Sequence, residues 1–294
     1  MRLRRRWSKL FGRGAEVLVA LRVEEWRPLA DYIQSICGIQ LDESKRYLIE
    51  SRLRNLVEET GSMSYSGLCY RAQVDSSGRF ERAIIDAITT GETSFFRDGS
   101  PFDLLRRKLL PELSERRGPG LAGRIPVRIW SAACSTGQEV YSIAIVLREV
   151  LGPLDRYDIR LVGTDISPEA IRRASLGVYN DVEGGRGLDP ALLSRYFARQ
   201  GDSWRVRDEI RTMASFRTLN LLRDFSALGQ FDIIFCRNVA IYFSEADKAS
   251  LFARIAKALA PDGYLMVGST ESLTTMCPQF VLRRDLRAAC YQRI

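Results

Sequence analysis

A chain of 294 residues that is 46% hydrophobic and 27% charged has the apolar content to bury a substantial core, in one large domain or a large one with a small partner. Its formal charge of +8 suggests nucleic acid until it is mapped: residues 1–20 hold six Arg/Lys and one Glu, so a surplus of only three is left for the rest of the chain. That near-balanced body, with no basic-aromatic groove in its C-terminal half, argues against nucleic-acid binding, and no stretch approaches the roughly 18 apolar residues of a membrane span.

The sequence contains no histidine, which removes Ser-His-Asp and Cys-His catalysis, histidine metal ligation and histidine acid–base work together. Six cysteines (Cys37, Cys69, Cys134, Cys236, Cys277, Cys290) are scattered without a C-x-x-C pair. Neither a zinc site nor a redox motif is expected, and a reducing, cytoplasmic setting is the simple reading.

In chain order, residues 1–22 read as a basic, disordered tail: the apolar run after Ala15 stops at Arg22 after about seven residues, too short for a signal sequence. Attachment to anionic lipid or to a partner is the other reading of that tail. Residues 23–116 read as a helical domain, with helices at Glu24–Ile36, Asp42–Glu59, Ser64–Ala72, Gly78–Thr89 and Pro101–Leu110, the last kinked or ended by Pro111. In the second helix Ile49, Leu53 and Leu56 form an apolar stripe, and Lys45 and Arg52 share a line on its border. Such a line suits an ordinary solvated face or a docking surface for an acidic partner.

Residues 117–126 read as a Gly/Pro-rich linker, and over 127–294 strands and helices alternate as in a parallel doubly wound sheet. The expected strands are Val127–Ser131, Ile159–Thr164, Phe216–Leu219, Phe231–Cys236 and Gly263–Gly268, with a final pair near Phe280–Leu282 and Ala288–Arg293. Helices are expected at Gln138–Glu149, Pro168–Ala174 and Glu245–Ala258. At about 190–212 the alternation breaks, and Arg195–Ala198 and Trp204–Val206 flank the turn Gln200-Gly201-Asp202 as an inserted hairpin.

The most telling stretch is 127–142, VRIWSAACSTGQEVYS, where a strand enters a small-residue loop that opens a helix. A second strand ends in Asp165, an acid placed to accept hydrogen bonds from ribose hydroxyls. The loop has one glycine instead of G-x-G-x-x-G, so a cofactor without phosphates fits better. Glu139, Asp165, Asn220-Leu221 and Arg237-Asn238 collect at four strand ends, as a ligand crevice requires. Singly, Asp165 also suits a helix cap at Ser167-Pro168, and Asn220 an ordinary turn.

The blocks TTGETSFFRD (89–98), RIWSAACSTGQEVYSIA (128–144), GTDIS (163–167), NLL (220–222), FDIIFCRNVAIYF (231–243) and PDGYLMVGSTESL (261–273) resemble, in unbroken order, the CheR family of chemotaxis protein-glutamate methyltransferases. The resemblance implies an α/β fold: a Rossmann-like class I methyltransferase sheet with a small inserted antiparallel β-subdomain and an N-terminal all-helical domain. It implies S-adenosylmethionine as cofactor, contacted by Thr93, Arg97, Glu139, Asp165, Asn220, Leu221, Arg237 and Asn238, with Arg97 and Tyr242 facing the transferring methyl group. A salt bridge at a helix start is the lesser alternative for Arg97, and a core aromatic the lesser alternative for Tyr242. The chain departs from the family at Gly91, where Asn is common, and at Gly137-Gln138-Glu139-Val140-Tyr141-Ser142, where the family has G-E-E-P-Y-S.

The implied substrate is glutamate on the cytoplasmic domain of methyl-accepting chemotaxis receptors, with Lys45 and Arg52 lying along the acceptor helix. The hairpin corresponds to the family's element for a receptor's C-terminal tether peptide, and its short turn, Arg199–Ser203, suggests action without the tether. A carboxylate acceptor also accounts for the missing histidine: with a pKa near 4.3 it is already a nucleophile at neutral pH. A relative serving another signalling pathway and a non-catalytic cofactor-binding scaffold are the competing readings.

Overall fold

The computed structural model describes residues 20–120, 123–274, 276–285 and 288–294. The basic residues 1–19 lie outside the described residues. Leu21 and Arg22, read as the end of the tail, belong to the first domain. Leu21 is 2% exposed and sits in that domain's core, and Glu25 in the first turn of the first helix accepts from both the N–H and the Nε of Arg22 before it.

Helices α1 (Val23–Cys37), α2 (Arg46–Glu59), α3 (Tyr65–Val74) and α4 (Arg79–Ile88) enclose a core of their own. The buried stripe of α2 is Ile49, Leu53 and Val57, one position beyond the expected Leu56. Lys45 is not on this α-helix but on the 3-10 turn Glu43–Lys45 before it, because Asp42 caps that tighter turn by accepting from the Ser44 N–H.

Pro111 neither ends nor breaks its helix. Helix α5 (Ser100–Leu104) runs through a π-turn, Leu105–Leu109, into α6 (Leu110–Arg116). Because proline brings no N–H and its ring crowds the carbonyl four residues back, the widened turn absorbs both faults and the helix continues.

The C-terminal half contains β1 (Ile125–Ala132), α7 (Gln138–Leu151), β2 (Tyr157–Asp165) and α8 (Pro168–Leu176). After an insertion come β6 (Ala214–Thr218), β7 (Phe231–Cys236), helix Glu245–Ala258, β8 (Leu259–Val267), β9 (Phe280–Asp285) and β10 (Ala288–Arg293). The sheet order is β6-β2-β1-β7-β8-β10-β9. Neighbours from β6 to β8 are parallel, whereas β10 is antiparallel to both β8 and β9. Strand order therefore reverses beside β1, and the crevice at the carboxyl ends of β1 and β7 is where such sheets bind ligands. Separate apolar cores cover the two faces of the sheet.

The inserted piece is larger than the expected hairpin. It is a three-stranded antiparallel sheet of β3 (Val178–Asn180), β5 (Ser203–Val206) and β4 (Phe197–Gln200), in the order β3-β5-β4. Arg195 and Tyr196, assigned to a strand, end the helix Pro190–Tyr196, and further short helices lie at Asp181–Gly185 and Asp208–Arg211. Local capping drives the first two in chain order, where Asn180 and Asp189 accept from N–H groups of the first turns, and helices of four to seven residues are too short for periodicity to reveal.

Candidate active site

The helical domain is fixed onto the carboxyl edge of the sheet by single, well-placed bonds. Gln40 N–H donates to the Tyr242 carbonyl at 2.8 Å, Asn220 Nδ2 to the Ile36 carbonyl at 2.8 Å, and Ser167 Oγ to Asp86 at 2.5 Å. Beneath this roof lies a cavity of about 360 Å³. Thr93, Arg97, Glu139, Asp165, Asn220, Leu221, Arg237, Asn238 and Tyr242 all line it, and Lys45 and Arg52 join them from the helical side. Residues more than a hundred positions apart thus meet at one place.

The floor is the loop after β1. Ala133 and Ser135 adopt left-handed backbone, φ 60° and 50°, and Phe96, Asp98 and Asn238 do so nearby. This is uncommon for residues with a Cβ and concentrates where a site is held in shape by its surroundings. Gly137, with φ 94°, is glycine for packing: a Cβ there would lie 2.9 Å from the Cβ of Ala174 on α8. From the inserted sheet, the buried Tyr179 hydroxyl donates to the Thr136 carbonyl at 2.7 Å and clamps the loop from behind.

Asp165 ends β2 with its two oxygens aimed at different backbone groups. Oδ2 accepts from the Ser135 N–H at 2.8 Å and Oδ1 from the Ser167 N–H at 2.9 Å. Ser167, and not Asp165, is the side chain that caps α8. Each carboxylate oxygen keeps lone-pair capacity for a ligand. Burial pushes the Asp165 carboxyl above its ordinary value and Asp86 adds to the rise, while the bonds from the Ser167, Ser135 and Ile166 backbone oppose it. A ligand whose hydroxyls donate to this carboxylate needs it ionised. Its affinity is therefore full above the raised pKa and falls as pH drops through it, at a higher pH than an exposed aspartate would dictate. Calorimetric titration with a nucleoside ligand from pH 7 downward is expected to show this loss, and Asp165→Asn to bind weakly without it.

Glu139 and Arg237 meet each other. Arg237 Nη1 bonds Glu139 Oε2 at 2.9 Å, and Nη2 reaches Asp98 Oδ2 at 2.7 Å and the Arg97 carbonyl at 2.9 Å. The other Glu139 oxygen accepts from Ser131 Oγ at 2.8 Å. The Arg237 side chain is 2% exposed, and its Nε has no partner among the described residues. Asn220 is committed as well, bonding Ile36 with its amide and accepting from the Leu222 N–H at 2.9 Å, so it is a turn residue and a domain joint together. Arg97 donates to the Glu92 carbonyl at 3.0 Å. The Arg52 guanidinium holds the Ile88 carbonyl at 2.6 Å and Thr90 Oγ1 at 3.2 Å, tying down the segment that links the domains.

Two thiols face the cavity, and burial raises both: Cys37 to about 11 and Cys134 well above the ordinary range. Neither supplies a thiolate near neutral pH. No cluster of His, Cys, Asp and Glu able to hold a metal occurs among the described residues, and no described helix is long and apolar enough to cross a membrane.

Comparison with known families decides what such a cavity belongs to. Residues 91–284 match the family model described as "CheR methyltransferase, SAM binding domain", and residues 24–89 match "CheR methyltransferase, all-alpha domain". The chain belongs to the CheR methyltransferase family. It is 42% identical over 250 residues to "Chemotaxis protein methyltransferase 1" of Pseudomonas aeruginosa, covering 83% of this chain and 89% of the relative. It is 41% identical to "Chemotaxis protein methyltransferase Cher2" of Pseudomonas putida, over 89% of this chain and 94% of that one. A Vibrio cholerae "Chemotaxis protein methyltransferase 1" is 39% identical over 90% and 95%. The cofactor of this CheR chain is S-adenosylmethionine, and the donor set suits it. A dipolar amino-acid tail, a diol and an adenine call for both charges, hydroxyl acceptors and apolar walls. Asp165 offers the acceptor, Arg237 Nε a buried unpartnered donor, and Leu219, Leu221 and Val239 apolar walls.

Sequence reasoning missed several residues of this CheR site. Asp86 and Ser167 join the domains at its rim, and Asp98 and Glu271 brace Arg237 and Asn238. Asp86 has no motif signal of its own, whereas Asp98, Ser167 and Glu271 fall inside the quoted blocks and Ser167 precedes the proline that starts α8.

Proposed function

We propose that this chain transfers the methyl group of S-adenosylmethionine to glutamate side chains on the cytoplasmic domain of methyl-accepting chemotaxis receptors, forming glutamyl methyl esters. The observation that carries this reading is the cavity's own chemistry: it presents donors and acceptors but no neutral-range base, and its thiols are held protonated. An acceptor used here must arrive as a nucleophile, and glutamate does so at neutral pH. The names of the similar proteins, all chemotaxis methyltransferases, point the same way.

When bound, S-adenosylmethionine supplies an electrophilic methyl group on a sulfonium. In our reading Asp165 accepts from its ribose, the Arg237 Nε and Arg97 meet anionic groups, and Thr93, Glu139, Asn220, Leu221 and Asn238 complete its cradle. Arg97 and Tyr242 face the reacting centre, where Arg97 orients the acceptor carboxylate. The anion and cation neutralise each other during transfer, so the roof of helices, by excluding water, favours the reaction. Holding the oxygen in line with the methyl carbon supplies the remainder. Tyr242→Phe is expected to lower turnover with the fold and cofactor affinity intact, and an unchanged rate would remove the hydroxyl from the mechanism.

Lys45 and Arg52 at the cavity mouth favour an acidic acceptor helix, although Arg52 is partly engaged within the protein. The tight turn between β4 and β5, with Gly201 at φ 58°, supports action independent of a receptor tether. The deciding experiment is transfer of labelled methyl from S-adenosylmethionine to a purified receptor cytoplasmic fragment. A base-labile product lost when the receptor glutamates become glutamine supports the reading. Cofactor uptake without any labelled product favours the scaffold.

A further inference from the structure

Glu271 follows the end of β8 and does not line the cavity, yet it holds a part of the chain that does. Its Oε2 accepts from two backbone donors, the Asn238 N–H and the Gly268 N–H, each at 2.7 Å. Its own N–H donates to the Gly268 carbonyl at 3.0 Å, closing a turn that folds the carboxylate back between the ends of β7 and β8. Gly268 leaves the room for this: a Cβ there would lie 2.6 Å from the carboxylate oxygen and 2.8 Å from Asn238 Nδ2. Asn238, with φ 57°, is the left-handed residue through which the chain turns from β7 toward Tyr242.

A left-handed non-glycine residue persists only when its surroundings fix it. The bond from the Asn238 N–H to a carboxylate is the strong kind of hydrogen bond that can do so. We propose that Glu271 is a positioning residue for methyl transfer: by anchoring the Asn238 amide it sets the Arg237–Tyr242 turn, and with it the direction in which Asn238 and Tyr242 meet cofactor and acceptor. This rests on the methyltransferase reading of the cavity. Glu271 acts only through that turn, and without it the Asn238 and Gly268 N–H groups lose their acceptor.

The test compares Glu271→Ala with Glu271→Gln, whose amide oxygen can still accept from both N–H groups. Each folded variant is measured for affinity toward S-adenosylhomocysteine and for the kcat and KM of methyl transfer to a receptor fragment, below its own melting temperature. Glu271→Ala is expected to lose on the order of 10- to 100-fold in kcat/KM for S-adenosylmethionine, as small displacements of positioned groups do, and Glu271→Gln to restore most of that loss. A folded Glu271→Ala protein with unchanged affinity and kcat overturns the proposal, as does a Gln variant as impaired as the Ala one. Should Glu271→Ala not fold, Gly268→Ala takes its place: it crowds the carboxylate and is expected to lose turnover that Glu271→Gln keeps, and the opposite order overturns the proposal. No uptake of S-adenosylhomocysteine by the unmodified protein would sink the cofactor reading and this inference with it. Normal uptake with an unaltered Ala variant would sink this inference alone.

Discussion

Arg237→Ala is expected to lower stability by about 3–5 kcal/mol and to abolish measurable methyl transfer. The guanidinium is almost wholly buried and its two terminal nitrogens bridge Glu139, Asp98 and the Arg97 carbonyl. Removing it strands the Glu139 carboxylate, 13% exposed, with only the Ser131 hydroxyl for company. An uncompensated buried charge is costly, whereas removing both partners is not. The double replacement Arg237→Met with Glu139→Gln is therefore expected to recover most of the stability in urea denaturation while transfer stays absent. That separation of stability from activity distinguishes a site residue from a merely structural ion pair. If Arg237→Ala matched the unmodified protein in its denaturation midpoint, the arginine would not be the keystone described here.

Gly187→Ala is expected to be the most damaging of the small substitutions. The backbone there has φ 90° and passes so close to the segment 93–98 that a Cβ would lie 1.9 Å from the Phe95 carbonyl oxygen. No flexible side chain can yield, because the obstacle is backbone. Strain at such a φ costs about 1–3 kcal/mol by itself, and relief requires moving Phe95, hence Phe96 and Arg97 beside the cavity. Loss of S-adenosylhomocysteine binding together with a lowered denaturation midpoint is the expected result. Gly185→Ala, two residues away, provides the control: its Cβ would meet nothing within 4 Å and both properties should be unchanged. Equal behaviour of the two variants would contradict the close approach.

The elements that the sequence displayed most clearly are those whose pattern is long or whose caps are local. Strand β7 is buried along its whole length and was visible as an apolar run; α8 was visible from Ser167-Pro168 at its start. The π-turn before Pro111, the third strand at Val178–Asn180 and the short helices of the insertion were not visible. Each spans too few residues for a period, and the strand in addition depends on pairing with β5, some twenty-five residues on.

The sequence by itself narrowed the chemistry: with no histidine, an acid at the tip of β2 and a single-glycine loop after β1, it pointed to a cofactor without phosphates and excluded histidine as a base. It also determined the family, because short motifs record local demands of chain and ligand. Only the tertiary structure decided which polar groups remain available. It pairs Glu139 with Arg237, turns Asn220 toward Ile36 and Arg52 toward Ile88, and leaves the Arg237 Nε without a partner among the described residues. Hydrogen-bond partners separated by tens to hundreds of residues are chosen by packing, and packing is a property of the folded chain that no local spacing encodes.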